Sequence, residues 1–114
     1  MPPTIEVLWW EGCPSTERAV DELREALVEL GLNGVEVVRR EIRTDEEAAA
    51  ARFSGSPTVL VDGADVVAPP DGEPMGLTCR VYRRRDGRIS PTPDPEDVRD
   101  ALRAAVQREQ ETTT

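Results

Sequence analysis

An apolar run rich in β-branched and aromatic residues, Thr4 to Trp10, gives way to an amphipathic helix through Glu11-Gly12-Cys13-Pro14-Ser15-Thr16. Any fold for this chain must accommodate a strand that enters a helix through a cysteine. Gly12 lets the backbone turn tightly just before the sulfur. Pro14 suits the first helical position, because the N–H it lacks is one that a helix start leaves unpaired anyway. Cys13 is then expected at the N-cap. There its sulfur faces the free N–H groups of Ser15 and Thr16 and the positive end of the helix dipole, which favour thiolate over thiol. Thr16 stands one turn further on and can offer its hydroxyl to the same sulfur. The alternative is that Cys13 is a small apolar residue buried where a loop meets a helix.

The rest of the composition narrows what such a thiol can serve. With 114 residues the chain makes one domain, with a core that needs no disulfide or metal to staple it. Asp and Glu outnumber Arg by 23 to 14, and a net charge of -9 argues against a nucleic-acid or anionic-membrane surface. No stretch approaches the ~20 apolar residues of a membrane span, and no targeting segment is evident at Met1 to Glu6, so the expectation is a cytoplasmic protein. Two cysteines are too few for a secreted disulfide scaffold; in a reducing compartment they read as catalytic, metal-binding or buried. Histidine is absent, which removes the usual general base and the usual zinc ligand together.

Taken in order, the strand at Thr4 to Trp10 is followed by a helix from Pro14 to Leu30, with Val20, Leu23, Leu27 and Leu30 on one face and Gly31 as its stop. Val35 to about Ile42 reads as a second strand. Thr44 with Glu47 forms a capping box for a short helix through the alanine run to about Phe53. Thr58 to Val61 is a third strand, and Asp62-Gly63 turns the chain into a return strand at Asp65 to Ala68. The loop from Pro69 to Thr78 reads either as a lid or substrate loop or as a disordered insertion. Asp86-Gly87 marks a small second hairpin, with Arg83-Arg84-Arg85 at its tip as a solvated charge cluster in preference to an anion site. Asp94-Pro95 opens a last helix with Val98, Ala101, Leu102, Ala105 and Val106 on its face. The domain is expected over residues 1–107, with 108–114 a disordered tail.

Two motifs in this order carry a resemblance: Cys13-Pro14-Ser15-Thr16 at the head of the first helix, and Gly55-Ser56-Pro57-Thr58 opening the third strand. Over about residues 4 to 107 the chain resembles the thioredoxin-like superfamily, nearest in size and pattern to small glutaredoxin-like proteins. The resemblance implies an α/β fold, β-α-β-α-β-β-α, with a mixed four-stranded sheet, to which this chain adds its small hairpin. It also implies a cis-proline at Pro57 lying against the Cys13 sulfur, with the backbone of Ser56 pairing with a bound peptide or glutathione. Trp9 and Trp10 point to opposite faces of the strand, so either both fill the core or one flanks the sulfur as a contact surface; Trp10 and Pro14 are the candidates for the substrate groove. The chain departs from the dithiol pattern, since Thr16 stands where a second cysteine would be. A monothiol member turns over through a mixed disulfide with glutathione or a partner thiol. No lysine or arginine stands beside Cys13 to receive glutathione carboxylates. No cofactor is implied.

Cys79 is either a resolving thiol for Cys13 or a buried residue at a strand start. Although 66 positions separate the two cysteines, the Asp62-Gly63 hairpin should return the chain to the Cys13 end, and a loop of about ten residues from there can place Cys79 over the sulfur. Three functions follow. The first is a thiol-dependent oxidoreductase acting on a small-molecule or protein thiol or disulfide, with Cys13 as nucleophile, Thr16 stabilising it, Cys79 resolving, and Trp10, Pro14, Ser56 and Pro57 shaping the groove. The second is a soft-metal protein holding Cu(I) or Hg(II) between two thiolates. The third is an interaction module that has lost its chemistry.

Overall fold

The computed structural model describes residues 3–32 and 34–112, without the side chains of 110–112. Strands β1 (Ile5–Trp9), β2 (Val37–Glu41), β3 (Thr58–Val61) and β4 (Ala64–Asp65) form one sheet in the order β2-β1-β3-β4. The central strand β1 runs parallel to β2 and antiparallel to β3, with Ile5 opposite both Val37 and Val61. Helix α1 (Thr16–Glu29) joins β1 to β2, α2 (Asp45–Ala51) joins β2 to β3, and α3 (Pro95–Thr112) closes the chain. A separate hairpin of β5 (Tyr82–Arg83) and β6 (Ile89–Ser90) precedes α3. The architecture is therefore α/β, with three helices, a mixed four-stranded sheet and an added hairpin. No helix among the described residues is long and apolar enough to cross a membrane.

The apolar continuity of β1 has a direct cause: the strand is buried on both faces. Ile5 and Val7 join Val59 and Val61 beneath α1 and α3, where Val20, Leu23, Leu27, Val98 and Leu102 complete the larger core. Leu8 points the other way, into a smaller cluster with Ile42, Ala48 and Phe53. Local rules set the ends of the elements. Gly31 takes a φ of 73°, and the bonds from Leu32 N to Leu27 O (2.7 Å) and from Gly31 N to Val28 O (3.1 Å) make a Schellman stop for α1. Thr44 caps α2 by accepting from Glu47 N at 3.1 Å, while Glu47 reaches back to Arg43 N at 2.8 Å. Asp62 and Gly63, at φ 52° and 82°, form the two-residue turn between β3 and β4 that only positive-φ residues accept.

Three expectations change. Helix α1 begins at Thr16 with Ser15 as its N-cap, so Pro14 and Ser15 occupy a turn and Cys13 stands two residues outside the cap. Strand β4 covers Ala64–Asp65 in place of Asp65 to Ala68, because the Asp65 carboxylate takes the Val67 N–H at 3.1 Å and draws the chain off the ladder. Helix α3 continues through Thr112, past the expected start of a tail at Arg108. Its later residues Arg108, Glu109 and Gln110 are good helix formers, and Arg108 pairs with Asp62 at 3.4 Å. Met1, Pro2, Thr113 and Thr114 lie outside the described residues.

Candidate thiol site

Cys13 sits where β1 has just ended, held by a bond from its own N–H to Trp10 O at 3.1 Å. Its side chain is almost covered, with 8% of the residue exposed, and the Sγ–H donates to the Ser56 carbonyl at 3.2 Å. Only the protonated thiol can make that bond. Ser56 is fully buried and joined to Pro57 by a cis peptide at the head of β3.

The same Ser56 backbone also receives the second cysteine. Ser56 N donates to Thr78 O and Arg80 N donates to Ser56 O, each at 2.8 Å, so Cys79 lies directly opposite Ser56 in a parallel bridge. Residues 66 positions apart in sequence thus meet at one peptide unit. Both cysteines are free thiols, Cys13 buried and Cys79 exposed. The neighbouring Cys13 sulfur holds the Cys79 thiol above its ordinary range, first by hydrogen bonding, then with help from burial and from charge on Cys13.

The strap that carries Cys79, Thr78 to Tyr82, is fastened by groups that nothing local in the sequence announces. Arg80 is 8% exposed, and its guanidinium pairs with Asp65 at 2.6 Å, donates to Thr58 Oγ1 at 3.3 Å and to Val67 O, and lies 4.5 Å from the centroid of the Tyr82 ring. Tyr82 Oη donates to Pro57 O, and Thr58 Oγ1 donates to Gly55 O at 2.6 Å. Gly55 must be glycine here: its φ is 148°, and a Cβ would lie 2.9 Å from the Arg80 nitrogen. Burial raises the Asp65 carboxyl from its ordinary value, while Arg80 pulls it down. Burial likewise pushes the Tyr82 phenol up.

The remaining residues expected at the site are placed differently from one another. Trp10 is half-buried, its indole lying over Gly12, and it borders a cleft of about 700 Å³ with Ile42 and Leu77. Pro14 is exposed in the turn before α1. Thr16 makes no bond to the sulfur. Its Oγ1, Ser56 Oγ and Trp10 Nε1 are buried with no hydrogen-bond partner, and Trp10 and Ser56 are the residues whose carbonyls Cys13 bonds. Arg84 and Arg85 are taken up in ion pairs, Arg84 with Glu22 at 3.7 Å and Arg85 with Asp97 and Asp100 at 2.7 Å each. Among the described residues no group of three or more His, Cys, Asp or Glu is arranged to hold a metal ion.

The unpaired Thr16 hydroxyl gives a direct test. Thr16→Val is expected to leave the fold intact and to hold or raise the unfolding free energy by up to about 1 kcal/mol, because it removes a buried donor whose desolvation nothing offsets. A loss of that size in urea unfolding would show that the hydroxyl has a partner in solution. Comparison with known protein families, curated proteins and solved structures gives no match.

Proposed function

We propose that this chain is a thiol-disulfide oxidoreductase of the thioredoxin-like type whose redox pair is Cys13 and Cys79. The observation that carries the reading is the convergence of both cysteines on the Ser56 peptide unit, one by its sulfur and the other by its flanking backbone. Three further features agree with it: the β2-β1-β3-β4 sheet, the cysteine between β1 and α1, and the cis bond before Pro57. Cys79 stands in for the second cysteine that the helix head lacks. Oxidation of the pair gives one disulfide and releases two electrons and two protons to a substrate disulfide, which leaves as two thiols. The uncommitted hydroxyls of Thr16 and Ser56 are donors available to a Cys13 thiolate once its proton has gone.

The test is to incubate the reduced full chain with an excess of a small disulfide and map the product by mass spectrometry. The expected product is an intramolecular Cys13–Cys79 disulfide that a dithiol reduces again. Adjacent thiols also suit two-coordinate Cu(I), so tight Cu(I) binding that needs both cysteines, without disulfide formation, would move the reading to a metal protein. Thiols that stay inert in the folded protein would leave an interaction module.

A further inference from the structure

We propose that Cys79, and not Cys13, is the thiol that meets the incoming disulfide, and that the substrate is a small disulfide in preference to an extended polypeptide. The proposal rests on the redox-pair reading above and assigns the order of events within it.

Access decides the first half. Cys13 is 8% exposed, with its sulfur turned onto the Ser56 carbonyl. Cys79 is exposed and stands in the wall of a cleft of about 470 Å³ between the strap and the loop from Val67 to Pro74. A disulfide meets almost no exposed Cys13 surface, and the strap beside that sulfur is pinned through Arg80 to Asp65, Thr58 and Val67. It can reach Cys79 with nothing moved.

Backbone pairing decides the second half. An extended peptide docks on exposed N–H and C=O groups at an edge. Here the Ser56 N–H and carbonyl are both spent on the chain's own Thr78 and Arg80. The strap occupies the place a peptide would take. What remains open is the cleft beside Cys79, with Val67, Pro69, Pro70 and Pro74 among its apolar walls and Glu73, Arg80 and Arg83 as its charged residues. Its volume lies within the ~300–1,000 Å³ that hold small molecules.

The reaction then runs in two balanced steps. Cys79 gives its proton to solvent and attacks one sulfur of R–S–S–R as the thiolate, forming Cys79–S–S–R and expelling RS⁻. Cys13, having given its proton to solvent, attacks the Cys79 sulfur, forming the Cys13–Cys79 disulfide and expelling the second RS⁻. One substrate disulfide has been reduced by two electrons and the two protein thiols oxidised.

Stopped-flow reaction of the full chain with dithiobis(nitrobenzoate), in three forms, tests the order. Wild type is expected to release both aromatic thiolates and keep none. Cys13→Ser removes the sulfur that holds the Cys79 thiol up, so it should react at least as fast as the first step of wild type and retain one aromatic thiol on Cys79. Cys79→Ser should react at least about tenfold more slowly, a barrier higher by ~1.4 kcal/mol. Because a variant can lose its fold, iodoacetamide labelling of wild type is read alongside, with Cys79 expected to alkylate before Cys13. Cys79→Ser reacting as fast as wild type, or Cys13 alkylating first, overturns the proposal while leaving the redox pair standing. Wild type that retains an aromatic thiol and forms no internal disulfide overturns the redox pair itself. An extended peptide bearing the same aromatic disulfide should react no faster than the small reagent; a faster reaction would refute the substrate class.

Discussion

Replacing Arg80 with methionine should lower the unfolding free energy by about 3–5 kcal/mol, because it leaves the Asp65 carboxylate largely buried and without its cation. The loss also takes the contacts to Thr58 and Val67 and the face of Tyr82, so nothing nearby can substitute. Adding Asp65→Leu should recover much of the deficit, since an apolar pair leaves no uncompensated charge. The pH dependence has a definite sign. Burial already raises the Asp65 carboxyl, so its native form binds a proton more tightly than the unfolded chain does, and stability falls as pH rises through that titration. Without Arg80 the carboxyl moves further up, and the penalty of Arg80→Met should be full at neutral pH and shrink on acidification. Urea unfolding at two pH values measures both effects. A penalty under about 1 kcal/mol at neutral pH would mean that Arg80 does not fasten the strap.

Oxidising the cysteine pair should raise the unfolding free energy of the wild-type chain by about 4 kcal/mol, the chain-entropy value for closing a loop of 66 residues. The gain acts through the unfolded ensemble, which loses the freedom to separate β1 from the strap. Comparing denaturation midpoints of the oxidised and reduced chain is sufficient, with Cys79→Ser as the form in which no internal disulfide can close and the midpoint should not rise. A lower midpoint on oxidation would mean that the bond distorts the site instead of fitting it.

What the sequence makes legible here is whatever short-range chemistry decides. Thr44 with Glu47, Gly31, and Asp62-Gly63 each act within a few residues, and each ends or turns an element where the residue types require. The register at the head of α1 is a finer matter. Pro14 tolerates a turn as readily as a first helical position, so the cap passes to Ser15 and Cys13 stands clear of the helix-start amides that would favour its thiolate. Arg80 was illegible for a different reason. One of 14 basic residues, it is singled out only by Asp65, Thr58 and Val67, which lie 13 to 22 positions away and come within reach only once β3 and β4 are paired. Helix α3 outruns its legible apolar face because Arg108 pairs with Asp62, 46 positions away, a contact that the local sequence does not reveal.

Asp62 has one more consequence, for how the molecule can be handled. It accepts from Thr4 N at 2.8 Å, donates its own N–H to Thr4 O at 2.8 Å and pairs with Arg108 at 3.4 Å, gathering the first residue before β1 and the late turns of α3 around one hairpin. That hairpin terminates β3 at the end opposite Pro57, about 13 Å of strand away from the sulfurs. A fluorophore or surface tether placed beside Thr4 or Arg108 therefore anchors the protein by the pole remote from the two cysteines, and an immobilised layer would present the exposed Cys79 outward to whatever flows past.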